Sequence, residues 1–202
     1  MKNENLLAYK AQACIIVFMV LDVIQIGDPI LEASAKRVED LKKPEIQKLI
    51  DDMLETCIHE KERAAGLSAP QVGQSLQISI CRRFDKSDDS DEWEVMINPE
   101  ITSKSSETST VWEGCLSIGA NSKALYGPVA RPKRVRVEFL NRVGKRKLID
   151  AQDYFSHIVQ HEVDHLNGIL FIKYVPNPDK NLWTSKELDK YIEEYSEFPE
   201  IA

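Results

Sequence analysis

The sequence predicts an α+β fold in which antiparallel strands pack around one central helix. Three observations predict it. Short runs of alternating apolar and polar residues recur between positions 76 and 149. A tight-turn signal, Asn141-Arg142-Val143-Gly144, joins two such runs. The strongest helical segment, Asp153 to Leu166, comes after the strands and does not alternate with them, which excludes a doubly wound parallel sheet.

The first major helix is expected from Pro44 to about Arg63. Pro44 suits a first helical turn, and Ile46, Leu49, Ile50, Met53, Leu54, Cys57 and Ile58 recur at helical spacing. His59 falls late in it, as a surface or C-terminal cap residue. Gly66 to Gly73 reads as a loop, Leu76 to Phe84 as a strand, and Lys86 to Glu92 as a polar, acidic hairpin tip. Trp93 to Asn98 is the returning strand, ending before Pro99, and Ile101 to Val111 is an exposed strand. Arg134 to Leu140 and Lys145 to Ile149 form the hairpin. Gly168 stops the central helix, and Ile169 to Ile172 is a short apolar continuation. Thr184-Ser185-Lys186-Glu187 is a capping box opening a last helix through about Tyr195.

The chain of 202 residues, 43% hydrophobic and 29% charged, suits one well-buried globular core. A formal net charge of -7 argues against binding nucleic acid by phosphate neutralisation. The basic strip Lys133, Arg134, Arg136, Arg142, Lys145, Arg146 and Lys147 reads as the solvated face of the hairpin. Cys14, Cys57, Cys81 and Cys115 follow no regular spacing, so no disulfide framework is expected and a reducing compartment fits. Cys57 and Cys81 lie in apolar patterns that suit inert buried thiols. The apolar run from Ala11 to Leu21 is shorter than the ~20 residues a spanning helix needs, and no small-x-small cleavage site follows it. Core strand, appended helix, upstream-start extension (with Met19 as an alternative start) and targeting segment all stay open for it.

The residues that carry chemistry are in Gln160-His161-Glu162-Val163-Asp164-His165. Side chains four apart share a helix face, so both imidazoles can reach one cation, while Glu162 points aside, free to handle a proton. His-Glu-x-x-His alone also fits two histidines satisfied by hydrogen bonds. Cys115, in Glu113-Gly114-Cys115-Leu116-Ser117, supplies a third ligand on a turn that Gly114 makes tight. One Cys and two His with an open position is a catalytic arrangement, not a closed structural one. Asp164 and Gln160 are placed to orient an imidazole or anchor the helix, and Glu113 to meet a basic partner.

The chain resembles the peptide deformylases, enzymes that remove the formyl group from the N-terminal methionine of new polypeptides. Gly66-Leu67-Ser68-Ala69-Pro70-Gln71-Val72-Gly73 is similar to their first motif, the Cys115 segment to their second and Gln160 to Gly168 to their third. The likeness runs from about Val23 to Val175. It implies a deformylase-like fold with a C-terminal helix. It also implies an N-terminal extension over 1–18 and a single catalytic domain over 19–202. Cys115, His161 and His165 would bind one divalent ion, with Fe²⁺ favoured and Zn²⁺ or another transition metal also suited to a thiolate and imidazoles. Glu162 would move the proton, and Gln71 with the Leu116 amide would stabilise the oxyanion. Gly66 would present backbone to a substrate lying as an added strand, with Leu67, Ala65 and His157 around it. Arg131 would support structure or substrate. The implied partners are N-formylmethionyl peptides, including nascent chains at the ribosome, met in the cytoplasm by a monomer or weak dimer. No specific nucleic acid and no stable membrane association are expected.

The chain departs from the family pattern in places. Ala64 stands where the family has glycine, which raises the question of a positive φ. Ala65 and Ser68 replace a bulky apolar residue and an alanine. His157 stands where an apolar or basic pocket-wall residue is usual, and Gly119 to Val129 is longer and lacks the proline usual after the second motif. A zincin-like peptidase and a weakly active binder of N-terminal peptides are the alternatives.

Overall fold

The computed structural model describes residues 18–86, 91–119 and 123–202. The expectations for the extension before residue 18 and for most of the acidic tip lie outside the described residues.

Two antiparallel sheets flank one helix. The larger has the order β1 (Gly66–Ser68), β2 (Ile78–Arg82), β3 (Trp93–Lys104), β6 (Arg134–Leu140), β7 (Arg146–Gln152). The smaller has the order β4 (Thr108–Gly114), β5 (Leu125–Pro132), β8 (Trp183–Thr184). Helix α1 (Pro44–His59) covers one face of the larger sheet: Ile46, Ile50, Met53 and Cys57 pack on Leu67, Ile78, Ile80 and Ile97. Helix α2 (Asp153–Leu166) covers the other, with Phe155, Ile158 and Val159 on Cys81, Met96, Val135 and Val137. Strand β2 is therefore buried on both faces, which is why it reads as apolar on Ile78 and Ile80 without a solvated side. The opposite side of α2 meets β4 and β5. A short helix α3 (Pro178–Asn181) and α4 (Ser185–Tyr195) complete the chain.

The central helix and the last helix have the predicted bounds. Thr184 accepts from the Glu187 N–H while the Glu187 carboxylate accepts from the Thr184 N–H, the predicted capping box. The predicted hairpin joins β6 and β7 through a turn with Gly144 at φ +81°. Its basic face is paired: Arg136 with Asp150, Arg146 with Glu138, Arg142 with Asp51.

The stretch expected as a loop from Gly66 to Gly73 instead opens with strand β1 and a 3-10 turn, Ala69–Val72, and four further details differ from expectation. Helix α1 stops at His59, because the N–H groups of Arg63 and Ala64 both turn back to the Glu60 carbonyl. The first long strand is trimmed to Ile78–Arg82. Strand β3 runs through Pro99 rather than ending before it. The register slips there, from Ile97 opposite Leu140 to Glu100 opposite Glu138, so Pro99 sits in a bulge where its missing N–H breaks no ladder bond. Asn98 takes φ 50° beside it, with its side-chain amide bonded to both the N–H and the carbonyl of Val38. Finally, the single strand expected from Ile101 to Val111 is two. Ser105 and Glu107 turn the chain against Lys133 and Arg134, moving it from the larger sheet to the smaller.

This crossing matters for the site. Strands β1 and β4 are each the first strand of their sheet, and residues 64–66 and 112–116 line opposite sides of one cleft. Two strand edges without a neighbour among the described strands border that cleft.

Candidate active site

Helix α2 brings His161 and Glu162 to the cleft and buries His165 behind them, and the turn after β4 brings Cys115 beside both imidazoles. One sulfur and one nitrogen from each imidazole lie within 4.8 Å of one another. Cys115 Sγ is 3.2 Å from His165 Nε2. His161 presents its outer nitrogen to the same sulfur, because its Nδ1 is committed to Glu113 Oε2 at 2.9 Å.

Glu113 is the organising group. Its carboxylate accepts from Arg131 Nε at 2.6 Å and Nη2 at 3.0 Å, and also meets His157 Nδ1 at 3.2 Å. Burial works against its charge, but the bonds from His157, His161 and Arg131 outweigh burial and hold it well below the usual carboxylate range. Arg131 continues to Asp164 at 2.6 Å and lies over the Tyr174 ring. Glu113, Arg131 and Asp164 thus tie β4, β5 and α2 together beneath the ligand cluster. Asp164 therefore anchors its helix through Arg131, and Gln160 does so through the Pro132 carbonyl and Ser156. Orientation of an imidazole falls to Glu113.

The donor set suits a divalent ion. Burial, then the charges of His161 and Arg131, push His165 well below the ordinary imidazole value, which favours the neutral form that a divalent ion would need. Burial also opposes charge on His161, yet its bonds to Cys115 and Glu113 move its pKa well up overall. His165 Nδ1 is buried without a hydrogen-bond partner, as is Ser79 Oγ, among the described residues. A thiolate with two imidazoles fits a borderline-soft transition ion.

Glu162 lies beside this cluster, 3% exposed. Burial pushes its carboxyl up to about 7, opposed by His161 and by Ser68. Ser68 Oγ is 2.7 Å from Glu162 Oε2 and 3.0 Å from the Glu162 backbone carbonyl. Sequence reading marked Ser68 only as a departure, since nothing in the chain signals its contact with a residue 94 positions away. Gln71 is held by the Ser68 N–H donating to its Oε1 at 2.8 Å, which aims its amide nitrogen at Cys115 Sγ, 3.4 Å, and Ser117 Oγ, 3.2 Å.

Gly66, Ala65, Leu116 and His157 line the cleft. The His157 nitrogens are occupied by Glu113 and, at 2.9 Å, by Ser109, so it forms wall and support together. Leu67 is 1% exposed and packs on α1, so only its backbone can face a ligand. Arg131 is not among the cleft-lining residues. Ala64 is not among the residues of positive φ, so it carries no strain from replacing glycine. Cys57 and Cys81 are fully buried, and burial raises both thiols, as expected of inert core residues.

Comparison with known proteins settles the family. The family model for polypeptide deformylase matches residues 20–181. The chain belongs to the peptide deformylase family. It is 42% identical over 154 residues to the peptide deformylase of Bartonella tribocorum, covering 76% of this chain and 83% of that one. It is 38% identical over 172 residues to peptide deformylase 1 of Vibrio vulnificus, covering 85% and 95%. Among solved structures, the Met-Ala-Ser-bound class I type b peptide deformylase of Acinetobacter baumannii superposes with a TM-score of 0.69 at 36% identity, covering 79% of this chain and all of that one. The actinonin complex of the Ehrlichia chaffeensis deformylase gives 0.71 at 29% identity, with 89% of this chain covered. The α+β fold, with Cys115 brought beside two histidines of its central helix, is thus the deformylase fold.

Proposed function

We propose that this chain hydrolyses the formyl amide at the N-terminal methionine of newly made polypeptides, releasing formate. The observation that carries this reading is the convergence of Cys115, His161 and His165 within 4.8 Å, with a buried carboxylate beside them. Cys115, His161 and His165 would hold one divalent ion. Bound there, it would acidify a water and polarise the formyl oxygen. Ligand softness and family membership favour Fe²⁺, with Zn²⁺ able to occupy the same set.

Glu162 is the proton carrier. Its pKa near 7 lets it accept a proton from water at neutral pH and return it to the leaving amine. Gln71 Nε2 and the Leu116 amide are the donors for the charge that develops on the formyl oxygen. The substrate lies extended along β1, with Gly66 offering backbone to it. The Acinetobacter relative bound to Met-Ala-Ser supports a methionyl peptide as the ligand class. No helix among the described residues is long and apolar enough to cross a membrane. We infer that this protein acts on nascent chains in the cytoplasm.

The test is formate release from formyl-Met-peptides by anaerobically purified, Fe²⁺-loaded protein, with elemental analysis in parallel. Release above a Glu162→Ala control is expected. Cleavage at an internal amide, or no release by protein that holds the ion, would overturn the reading.

Gly66 offers a sharper check. A methyl at this position would collide with Oε1, Cδ and Cγ of Glu162, whose carboxylate is fixed by Ser68. Gly66→Ala is expected to lower kcat at least about tenfold, since misplacing a reacting group is costly, while leaving ion content intact. A variant with unchanged kcat would show that Glu162 needs no fixed position.

A further inference from the structure

The cleft has an aromatic wall that the reaction chemistry does not use. Side chains alternate along β4: Glu113 points at His157 and His161, so Trp112 and Gly114 belong to the other face. Tyr126, opposite Gly114 on β5, packs its ring where a side chain on that glycine would be. Trp112 and Tyr126 both line the cleft.

Trp112 is held by groups outside the cleft. Phe198 stacks on it at 5.7 Å between centroids and 19° between planes, and Trp183 meets it edge-on at 6.4 Å. Trp183 pairs through its backbone with Tyr126 and packs against Tyr191 of α4. The strap carrying Phe198 is fixed at both ends. Ser196 ends α4 in the left-handed conformation, at φ 57°. The N–H and the backbone oxygen of Ala202 both bond the side chain of buried Asn181 at 3.0 Å, and Asn177 adds a bond of 2.7 Å. Pro199 between them is buried.

We propose that Trp112 is a specificity residue that reads an apolar or aromatic side chain about two to three residues beyond the substrate methionine, and that residues 196–202 position it. The inference rests on the deformylase reading. An extended peptide with its formyl end at the ligand cluster and its backbone between β1 and β4 passes Trp112. That residue lies three positions before Cys115 on the same cleft edge, about 10 Å of extended chain. Ser or Ala at that substrate position covers little of the indole, whereas Phe or Leu covers much of it.

The experiment compares formyl-Met-Ala-Phe with formyl-Met-Ala-Ser on the Fe²⁺-loaded full chain, and measures binding of the deformylated peptides by tryptophan fluorescence. Wild type is expected to show a KM and a Kd about three- to tenfold lower for the Phe peptide, the size of one aromatic contact, at equal kcat. Phe198→Ala should erase that ratio with kcat held, and Phe198→Tyr should restore it. Equal KM and Kd for the two peptides in wild type would overturn the proposal. So would a Phe198→Ala protein that keeps the ratio, or one that loses kcat alike on both peptides. A Kd ratio without formate from either peptide would sink the deformylase reading and leave the aromatic wall standing. Formate release without a ratio would do the reverse.

Discussion

Glu162→Gln is expected to lower kcat/KM for formate release by about 10²- to 10⁴-fold, the range for removing a positioned acid–base group. Ion content should be unchanged, since Glu162 is not in the Cys115–His161–His165 cluster. The same substitution should stabilise the ion-stripped protein at high pH. Burial raises the Glu162 pKa from 4.5 to about 7, so between those values the folded state holds a proton that the unfolded chain has released. Stability conferred by the protonated group is complete below about 4.5 and is lost as pH rises to about 7. The loss is on the order of 3 kcal/mol by the usual conversion of a pKa difference. Glutamine cannot ionise and escapes it. Urea unfolding of chelator-treated wild type and variant should therefore agree near pH 4.5 and diverge in the variant's favour at pH 8. A gap that is the same at both pH values would refute the assigned shift. A variant with wild-type turnover would refute the role.

Arg131→Met is expected to cost about 3–5 kcal/mol of folding stability, the penalty for leaving buried charges without their partner. Arg131 is 5% exposed and bonds two carboxylates, Glu113 on β4 and Asp164 on α2. Removing it leaves Glu113 buried with only the two imidazoles to satisfy it, while the half-buried Asp164 keeps its bond from Tyr174. Loss of the fixed Glu113 should also weaken ion retention, because Glu113 sets the His161 ring. Adding Glu113→Gln to Arg131→Met should recover part of the lost stability, as one orphaned charge is gone. Chemical denaturation of the ion-stripped single and double variants tests this. A loss below about 1 kcal/mol, typical of exposed pairs, would mean the network contributes little.

The parts of the fold legible in the sequence are those whose signals are local. Helix α2 was legible from its His-Glu-x-x-His segment and from Gly168, which follows it at φ +71°. The last helix was legible from its capping box, and the β6–β7 hairpin from its turn. The ligand triad was legible because two of its members lie four apart on one helix and the third follows a glycine. What the sequence hid depends on partners far along the chain. The crossing from β3 to β4 occurs at Ser105–Glu107, where polar alternation continues unbroken and no Gly or Pro marks the change of sheet. Pro99 looked like a strand end because the bulge that accommodates it is made by pairing with β6. Glu113 was anticipated to meet a basic partner, but its simultaneous hold on Arg131, His157 and His161 required three segments to be brought together. Trp112 gave no sign of a role, since its stacking partner Phe198 follows the last helix.

The Ser68 hydroxyl has one hydrogen and two oxygens of Glu162 within reach, one on the side chain and one on the main chain. When the carboxylate takes up a proton and becomes a donor itself, the hydroxyl can turn to the helix carbonyl and keep a bond. Neither group is stranded at either stage of the cycle. An alanine here, the residue the family pattern has, would remove the hydroxyl that follows the change of charge.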